Sequence, residues 1–243
     1  MRRKIVVVGE SCIDRYTYGA VHRLAPERPV PVFGVQFSNS TPGMAGNVHR
    51  NLEHLGQDSH LFTNSNYGQI IKERFVDSTS NHMFLRVDSG PDVTRSSLEE
   101  FSFDADLVIV SDYDKGFLHE SDIEQICELN PIVFLDTKKK LDKWALRAAF
   151  VKINDHEYDR SKCFIDKELS SRTIKTIGPG GAQFNGVTYP VESKSVIDVS
   201  GAGDSFMAGL ATEFLKSGDI VAAIAFANEL ASRVVGIRGM TLP

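Results

Sequence analysis

The stretch most able to do chemistry is residues 198–204, Asp-Val-Ser-Gly-Ala-Gly-Asp, which precedes an apolar segment with helical spacing. Gly201 and Gly203 allow a tight backbone turn, and exposed N–H groups at a helix N-terminus bind anions. Asp204 could then accept a proton from a substrate hydroxyl while the N–H groups of Ala202, Gly203 and Asp204 stabilise a phosphoryl group in transfer. An aspartate that only caps the helix is an equally good reading of this stretch alone.

Other nucleotide-binding motifs are missing from the sequence. It contains no GxxxxGK[ST], which excludes a P-loop enzyme, and its first apolar run lacks the GxGxxG that a dinucleotide site requires. The lone Gly-Ala-Gly at 201–203 is too short a signal to replace either motif. The Gly-Ala-Gly motif alone therefore does not define a nucleotide-binding site.

Composition limits the possible partners. The 243 residues carry a formal net charge of -5 with dispersed cations, which argues against a nucleic acid or a membrane as main partner. The one dense basic run, 138–140, is expected to be a solvated loop. Three widely separated cysteines fit a reducing compartment, and the short apolar run near the N-terminus predicts a buried strand rather than a signal peptide. We therefore expect a cytoplasmic protein.

Alternating elements predict an α/β fold, a doubly wound and mainly parallel sheet flanked by helices. Continuous apolar runs without alternation are typical of strands buried on both faces, and they occur at 4–9, 106–112, 131–136, 149–155 and 173–178. Helical segments are predicted at about 45–55, 119–129, 140–147, 204–217 and 219–236. The whole of 1–243 is expected to form one domain.

Two stretches break this rhythm and predict a small β lid. Residues 14–41 alternate apolar and polar positions, and residues 82–88 could return to the same sheet. A strand with one exposed apolar face needs a cover, and the lid of a second subunit would supply it. We therefore expect a homodimer formed through the lid.

The longer pattern Asp-x-x-Gly-Ala-Gly-Asp-Ser-Phe resembles the C-terminal signature of the ribokinase-like (PfkB-type) carbohydrate kinases, and the likeness extends over nearly the whole chain. Four further segments resemble family motifs: the N-terminal glycine motif at 42–56, Asn-x-x-Glu at 154–157, a nucleotide-side strand and glycine turn at 176–184, and a closing helix at 226–239. The resemblance implies an ATP-dependent sugar kinase that uses Mg²⁺ and a small-molecule acceptor.

The resemblance also implies a role for each matching residue. Asp204 is implied as catalytic base, and Gly201, Ala202 and Gly203 form the anion hole. The implied sugar-binding residues are Asp14, Gly43 and Asn47, with Asp112 and Lys115 as further substrate candidates. On the nucleotide side the implied residues are Asn154, Glu157, Gly178, Gly181 and Asn228, with Glu157 holding Mg²⁺ through water.

Within the family the likeness is to the heptose 7-phosphate kinase subgroup. It is carried by 14–33, by Ser-Asp-Tyr-Asp-Lys-Gly-Phe-Leu at 111–118 and by Leu-Asp-Thr-Lys-Lys-Lys at 135–140. A phosphorylated acceptor such as D-glycero-D-manno-heptose 7-phosphate requires a cation to meet its phosphate. The candidates are Arg15, Arg23, Arg86 and Lys115.

Three departures from the family pattern keep alternatives open. Met44 replaces the second glycine of a Gly-Gly pair, Glu10 replaces an aspartate, and the chain is short, with elements expected to be missing in 63–81 and 159–173. The acceptor could instead be fructose, ribose or a nucleoside, or the chain could be a catalytically silent homologue that binds sugar or nucleotide. Any nucleotidyltransfer step is expected to need a separate protein.

Overall fold

Two β-sheets organise the chain in the computed structural model, which describes residues 3–95, 98, 104–191 and 199–236. The strands in this part of the chain are β1 Lys4–Val8, β2 Ser11–Leu24, β3 Pro31–Met44, β4 Asp58–Phe62, β5 Ile71–Asp77, β6 Met83–Ser89, β7 Leu107–Asp112, β8 Val133–Thr137, β9 Phe150–Asn154, β10 Thr173–Thr176, β11 Ala182–Phe184 and β12 Val187–Tyr189. The α-helices are α1 Ala45–His54, α2 Glu120–Leu129, α3 Asp155–Ser161, α4 Lys167–Ser170, α5 Ala202–Ser217 and α6 Ile220–Val235.

The larger sheet has the order β12-β11-β10-β9-β8-β7-β1-β4 in the described part of the chain. Every neighbouring pair from β10 to β4 is parallel, and β11 and β12 complete the edge as an antiparallel hairpin. All five predicted buried strands are present, and the α/β fold class is confirmed. The carboxyl ends of the parallel strands lie at one edge, where open α/β sheets bind ligands.

Helices cover both faces of this sheet because successive side chains of a buried strand point in opposite directions. Ile5 and Val7 of β1 join an apolar cluster with residues of α1, α5 and α6. Val6 and Val8 join a second cluster that contains α2 residues and Trp144. The same strand thus contributes to both halves of the core.

The smaller sheet is the predicted β lid, with the order β3-β2-β5-β6. β2 and β3 are each 14 residues long and pair in antiparallel fashion, whereas β5 pairs parallel to β2. The expectation of a missing strand in 63–81 is wrong, because β5, Ile71–Asp77, lies within that range. Its sequence, Ile-Lys-Glu-Arg-Phe-Val-Asp, lacks the apolar alternation by which the other lid strands were predicted.

Two further expectations need correction. The helix predicted at 140–147 is a 3-10 helix at Lys143–Arg147, where the Asp142 side chain accepts a hydrogen bond from the backbone N–H of Lys143. Short 3-10 helices are frequent in connections between other elements. The other range expected to be depleted, 159–173, contains the four-residue helix α4.

A search of the described residues finds no helix that is both long and apolar enough to cross a membrane.

Gly9 offers a test of how closely β1 and β7 approach each other. A Cβ atom at Gly9 would lie 1.8 Å from the backbone oxygen of Ser111, whereas a Cβ atom at Gly68 would meet nothing within 4 Å. We expect Gly9→Ala to lower the free energy of unfolding by about 3 kcal/mol or more, because backbone must move to admit the methyl group. Urea unfolding beside the control Gly68→Ala measures this; a loss below about 1 kcal/mol would contradict the packing described.

Candidate functional site

Asp204 is the third residue of α5, and its carboxylate is hydrogen-bonded on both oxygens. The helix begins after Gly201, whose φ of 79° is left-handed and suits glycine. Oδ2 accepts from the Asn47 side-chain amide at 2.8 Å, and Oδ1 accepts from the Tyr113 hydroxyl at 2.8 Å. Among the described residues the cap of α5 receives no side-chain hydrogen bond, so the capping interpretation of Asp204 is wrong.

Burial and hydrogen bonding act in opposite directions on this carboxyl. Only 7% of Asp204 is exposed, and burial raises its pKa, while the hydrogen bonds from Asn47 and Tyr113 partly offset the shift. An aspartate with a raised pKa is a stronger base than a solvated one. Asp204 can therefore accept a proton more readily than an ordinary surface carboxylate.

Two polar pairs between α1 and α5 set the position of the base. Asn47 binds Asp204, and one helical turn further along, the Asn51 side-chain amide donates to the Ser205 hydroxyl at 3.1 Å. Asn47 and Asn51 are four residues apart and so lie on the same helix face. The orientation of α1 thereby fixes the orientation of the Asp204 side chain.

Two cavities meet at Asp204. The helix-side cavity, about 590 Å³, is lined by residues of α5, α6 and the ends of β8, β9 and β10. The lid-side cavity, about 510 Å³, is lined by residues of the lid and of the loops after β7 and β8. Four residues line both cavities: Tyr113, Lys138, Gly201 and Asp204. A group in one cavity can therefore approach a group in the other beside Asp204.

The helix-side cavity combines apolar walls with the start of α5. Gly178 and Gly181 from the glycine turn and Asn228 from α6, which the resemblance implies for the nucleotide side, line this cavity. The Asn228 side-chain amide donates to the backbone oxygen of Tyr189 at 2.8 Å. The first-turn N–H groups of Gly203 and Asp204 have no acceptor within the helix and are suited to an anion, whereas the N–H of Ala202 donates to the Val199 oxygen at 3.3 Å.

Six cations and three carboxylates line the lid-side cavity. The cations are Lys72, Arg74, Arg86, Lys115, Lys138 and Arg160, and the carboxylates are Asp14, Asp114 and Asp204. Neither Lys72 nor Lys115 forms an ion pair with any residue that the structure describes. An excess of cations in a cleft favours an anionic ligand.

A buried charge cluster forms the floor between the two cavities. The Lys152 ammonium lies 2.7 Å from the Asp136 carboxylate, and Lys138 contacts both Asp136, at 3.8 Å, and Glu157. Burial alone would raise the pKa of Asp136, but Lys152 and Lys138 outweigh it and lower the pKa. A Cβ atom at Gly203 would lie 3.1 Å from the Lys152 ammonium, which brings this cluster against the start of α5.

The Asn-x-x-Glu motif forms a capping box at α3. The Asn154 side chain accepts from the Glu157 N–H at 2.9 Å, and the Glu157 carboxylate accepts from the Asn154 N–H at 2.8 Å. The other oxygen of the Glu157 carboxylate accepts from Lys138, so Glu157 has little capacity left to bind a metal ion directly. The described residues include no cluster of three metal-ligating side chains. This donor set fits Mg²⁺ only through water and a bound phosphate.

The predicted sugar-binding residues lie at or near the lid-side cavity. Asp14 lines it and pairs with Arg74 at 2.5 Å. A Cβ atom at Gly43 would lie 2.2 Å from the Asp14 carboxylate, so glycine is needed for this placement. Lys115 lines the same cavity, and so does Met44, whose φ of 59° is unusual for a residue with a side chain.

Several predicted residues lie elsewhere. Asp112 lines neither cavity; it accepts from Thr137 and pairs with Lys139 at 3.3 Å, and burial with the neighbouring Glu10 raises its pKa to about 6. Of the other phosphate candidates, Arg86 lines the lid-side cavity, whereas Arg15 pairs with Glu73 and Arg23 is exposed. Asp198 lies outside the described residues.

Sequence reasoning missed most of the charged residues around Asp204. The run 138–140 was expected to be solvated, but Lys138 lines both cavities and Lys139 pairs with Asp112 and Asp114. This expectation was wrong because the run directly follows β8, at the edge of the sheet where ligands bind. The missed residues are Tyr113, Lys72, Arg74, Lys138, Lys152, Asp136 and Arg160.

The fold is shared with several solved kinases. The nucleoside kinase of Methanocaldococcus jannaschii, an archaeal member of the ribokinase family, has a TM-score of 0.73 at 18% identity, and the alignment covers 98% of this chain and 93% of that one. A ribokinase of Arabidopsis thaliana, solved with ribose and ATP, has a TM-score of 0.69 at 16% identity, with 98% and 94% covered. The protein thus has the ribokinase-like fold.

Sequence comparison finds relatives among the carbohydrate kinases. Residues 133–243 match the pfkB family carbohydrate kinases. The bifunctional protein HldE of Nitratiruptor sp. is 29% identical, with 97% of this chain and 62% of that protein covered, and HldE of Vibrio atlanticus is 28% identical, with 97% and 60% covered. The chain therefore spans about three fifths of the length of these relatives. The predicted resemblance to the ribokinase-like (PfkB-type) carbohydrate kinases is therefore confirmed.

Proposed function

We propose that the protein transfers the γ-phosphoryl group of ATP to a hydroxyl of a sugar phosphate. The observation that carries this proposal is the position of Asp204, a buried carboxylate at the boundary of two cavities and at the start of a helix whose first N–H groups lack intrahelical acceptors. A kinase needs its acceptor hydroxyl within reach of the base and its phosphoryl donor in line with that hydroxyl. The two cavities supply these two places.

Asp204 would act on the acceptor hydroxyl from the lid-side cavity. As the hydroxyl oxygen attacks phosphorus, its proton passes to the Asp204 carboxylate, and the bond between phosphorus and the ADP oxygen breaks. The N–H groups of Gly203 and Asp204 would stabilise the charge on the transferring group, and Lys138, which lines both cavities, is placed to contribute. The remaining catalysis comes from positioning.

ATP would occupy the helix-side cavity. Its apolar lining from α6, together with Gly178, Gly181 and Asn228, suits a base and ribose, while the start of α5 suits the phosphates. Glu157 would help to hold Mg²⁺ through water, and the ion would supply charge neutralisation for phosphoryl transfer. Asn154 holds the Glu157 carboxylate in place for this contact.

The cation-rich wall supports an acceptor that already carries a phosphate. Lys72 and Lys115 bring charges that no described carboxylate neutralises as an ion pair, so they remain available to an anion. The HldE relatives support D-glycero-D-manno-heptose 7-phosphate as this acceptor. Asp14, Gly43 and Asn47 lie where they would meet the sugar part.

A homodimer through the lid completes the proposal. Five apolar side chains of the lid strands are at least half exposed: Leu24, Val35, Phe37, Met83 and Leu85. A sheet with such side chains and free edges is stabilised when a second copy covers it. We infer that two lids pack against each other.

Asp204→Asn tests the catalytic base. The amide keeps the size of the side chain but cannot take the proton, so we expect kcat to fall about 10²- to 10⁴-fold in a coupled ADP-release assay over a panel of sugar phosphates. Glu229→Gln, an exposed change on α6, serves as the control and should leave kcat unchanged. Turnover that survives Asp204→Asn would contradict the assignment, and a wild-type protein inactive on every sugar would favour the silent homologue.

Lys72→Gln and Lys115→Gln test recognition of the acceptor phosphate. Each loss of a charge-assisted hydrogen bond should lower kcat/KM for heptose 7-phosphate about 10- to 100-fold, with little effect on the unphosphorylated heptose. Lys216→Gln, on the exposed end of α5, is the matched control. Equal losses of kcat/KM for the phosphorylated and the unphosphorylated heptose would show that these lysines do not bind the acceptor phosphate.

Light scattering at micromolar concentration tests the dimer. We expect twice the chain mass for the wild type and a monomer for Leu85→Glu, because a buried charge in the lid interface would not be paired. Leu129→Glu, at the exposed end of α2, should remain dimeric. A monomeric wild type refutes the proposed assembly.

A further inference from the structure

We propose that Tyr113 is a positioning residue that fixes the Asp204 carboxylate for the acceptor hydroxyl, and that Glu10 holds Tyr113 in place. This inference rests on the proposed function for its kinetic consequences. Its structural part, the dependence of the Asp204 carboxylate on Tyr113, can be measured without turnover.

Tyr113 stands at the boundary of the two cavities. Its hydroxyl donates to Oδ1 of Asp204 at 2.8 Å, and its side chain lines both cavities. The ammonium groups of Lys72 and Lys138 lie 5.6 and 5.5 Å from the ring centroid, within the range of cation–π attraction. Contacts with three charged groups therefore restrict both the ring and the hydroxyl.

Glu10 fastens the backbone that carries Tyr113. Its buried carboxylate accepts from the N–H of Tyr113 and from the N–H of Lys115, each at 2.8 Å. Its backbone oxygen accepts from the N–H of Ala45 at 2.9 Å, where α1 begins. Glu10, which follows β1, thus connects the loop that contains Tyr113 to the helix that contains Asn47.

The result is a carboxylate with one donor on each oxygen. Asn47 binds Oδ2 and Tyr113 binds Oδ1, so the plane of the Asp204 carboxylate is fixed from two sides. An ionised carboxylate has further lone pairs, and these remain for a substrate hydroxyl. With Tyr113 removed, the carboxylate would be held by Asn47 alone and could rotate.

Tyr113 also favours the ionised form of Asp204. Burial and the Asp204 charge raise the pKa of Tyr113, so it stays neutral and continues to donate. The charged groups that face this pair from neighbouring elements are Asp136, Lys138, Lys152, Asp14 and Lys72. They stay in place when only the Tyr113 hydroxyl is removed, and the loss of that donor then raises the pKa of Asp204 further.

Tyr113→Phe tests the proposal, with Tyr67→Phe, a partly exposed tyrosine in the turn before β5, as control. We expect kcat to fall about tenfold, the loss of one good hydrogen bond, with KM for acceptor and ATP changed less than about twofold. The acidic limb of the kcat/KM profile should move to higher pH, because the base must now lose its proton at a higher pH. A lower acceptor KM with unchanged kcat would overturn the proposal, since Tyr113 would then compete with the acceptor hydroxyl.

A readout independent of turnover separates this inference from the proposed function. Titration of ¹³C-labelled aspartate carboxyl groups by NMR, with Asp204 assigned through Asp204→Asn, should show a higher pKa for Asp204 in Tyr113→Phe than in the wild type or in Tyr67→Phe. An inactive wild type that shows this shift would refute the kinase but support the positioning by Tyr113. An unchanged Asp204 titration would overturn the positioning whatever the activity.

Glu10→Gln tests whether the Glu10 carboxylate holds the loop that contains Tyr113. The amide presents an N–H₂ group to one of the two backbone N–H donors, so the loop should loosen and the Asp204 pKa should rise in the same direction as in Tyr113→Phe. Because both changes act through one contact, the double variant should lose little more activity than Tyr113→Phe alone. Additive losses would show that Glu10 does not act through Tyr113.

Discussion

The buried carboxylate of Asp204 is the constraint on which the rest of the site depends. A charge removed from water must be compensated by hydrogen bonds, and here the donors come from α1 and from the loop after β7, while the carboxylate itself belongs to α5. Three elements distant in sequence must therefore meet at one point. The pairing of Asn51 with Ser205 and the tether through Glu10 hold them in that arrangement.

The charges around this point divide the site into two environments. The lid contributes three of the six cations on one side, and α6 with the glycine turn contributes a largely apolar wall on the other. Lys138 lies between them, bound to the carboxylates of Asp136 and Glu157. This arrangement suits a reaction in which an anionic donor and an anionic acceptor must approach each other despite their repulsion.

The fold could be predicted from the sequence further than the site could. Continuous apolar runs revealed five of the six parallel strands of the larger sheet, because burial on both faces leaves no room for polar positions. The sixth, β4, was missed because its sequence, Asp-Ser-His-Leu-Phe, is no continuous apolar run. β5 was missed because its cations face a cavity, and polar residues that face a ligand break the apolar pattern. Within the site, the glycine turn and Asp204 form a local signal, whereas Tyr113, Lys152 and Asp136 meet Asp204 only through the tertiary fold, which no spacing in the sequence encodes. Asn-x-x-Glu was found as a motif, but its capping geometry at α3 became visible only in the structure.

The central claim is that phosphoryl transfer takes place beside Asp204, across the boundary of the two cavities. A crystal structure with Mg²⁺, a non-hydrolysable ATP analogue and heptose 7-phosphate tests it most directly. We expect the γ-phosphate against the N–H groups of Gly203 and Asp204, and a sugar hydroxyl within hydrogen-bond distance of the Asp204 carboxylate. A triphosphate bound away from the start of α5, or a sugar whose hydroxyls all lie beyond reach of Asp204, would contradict it.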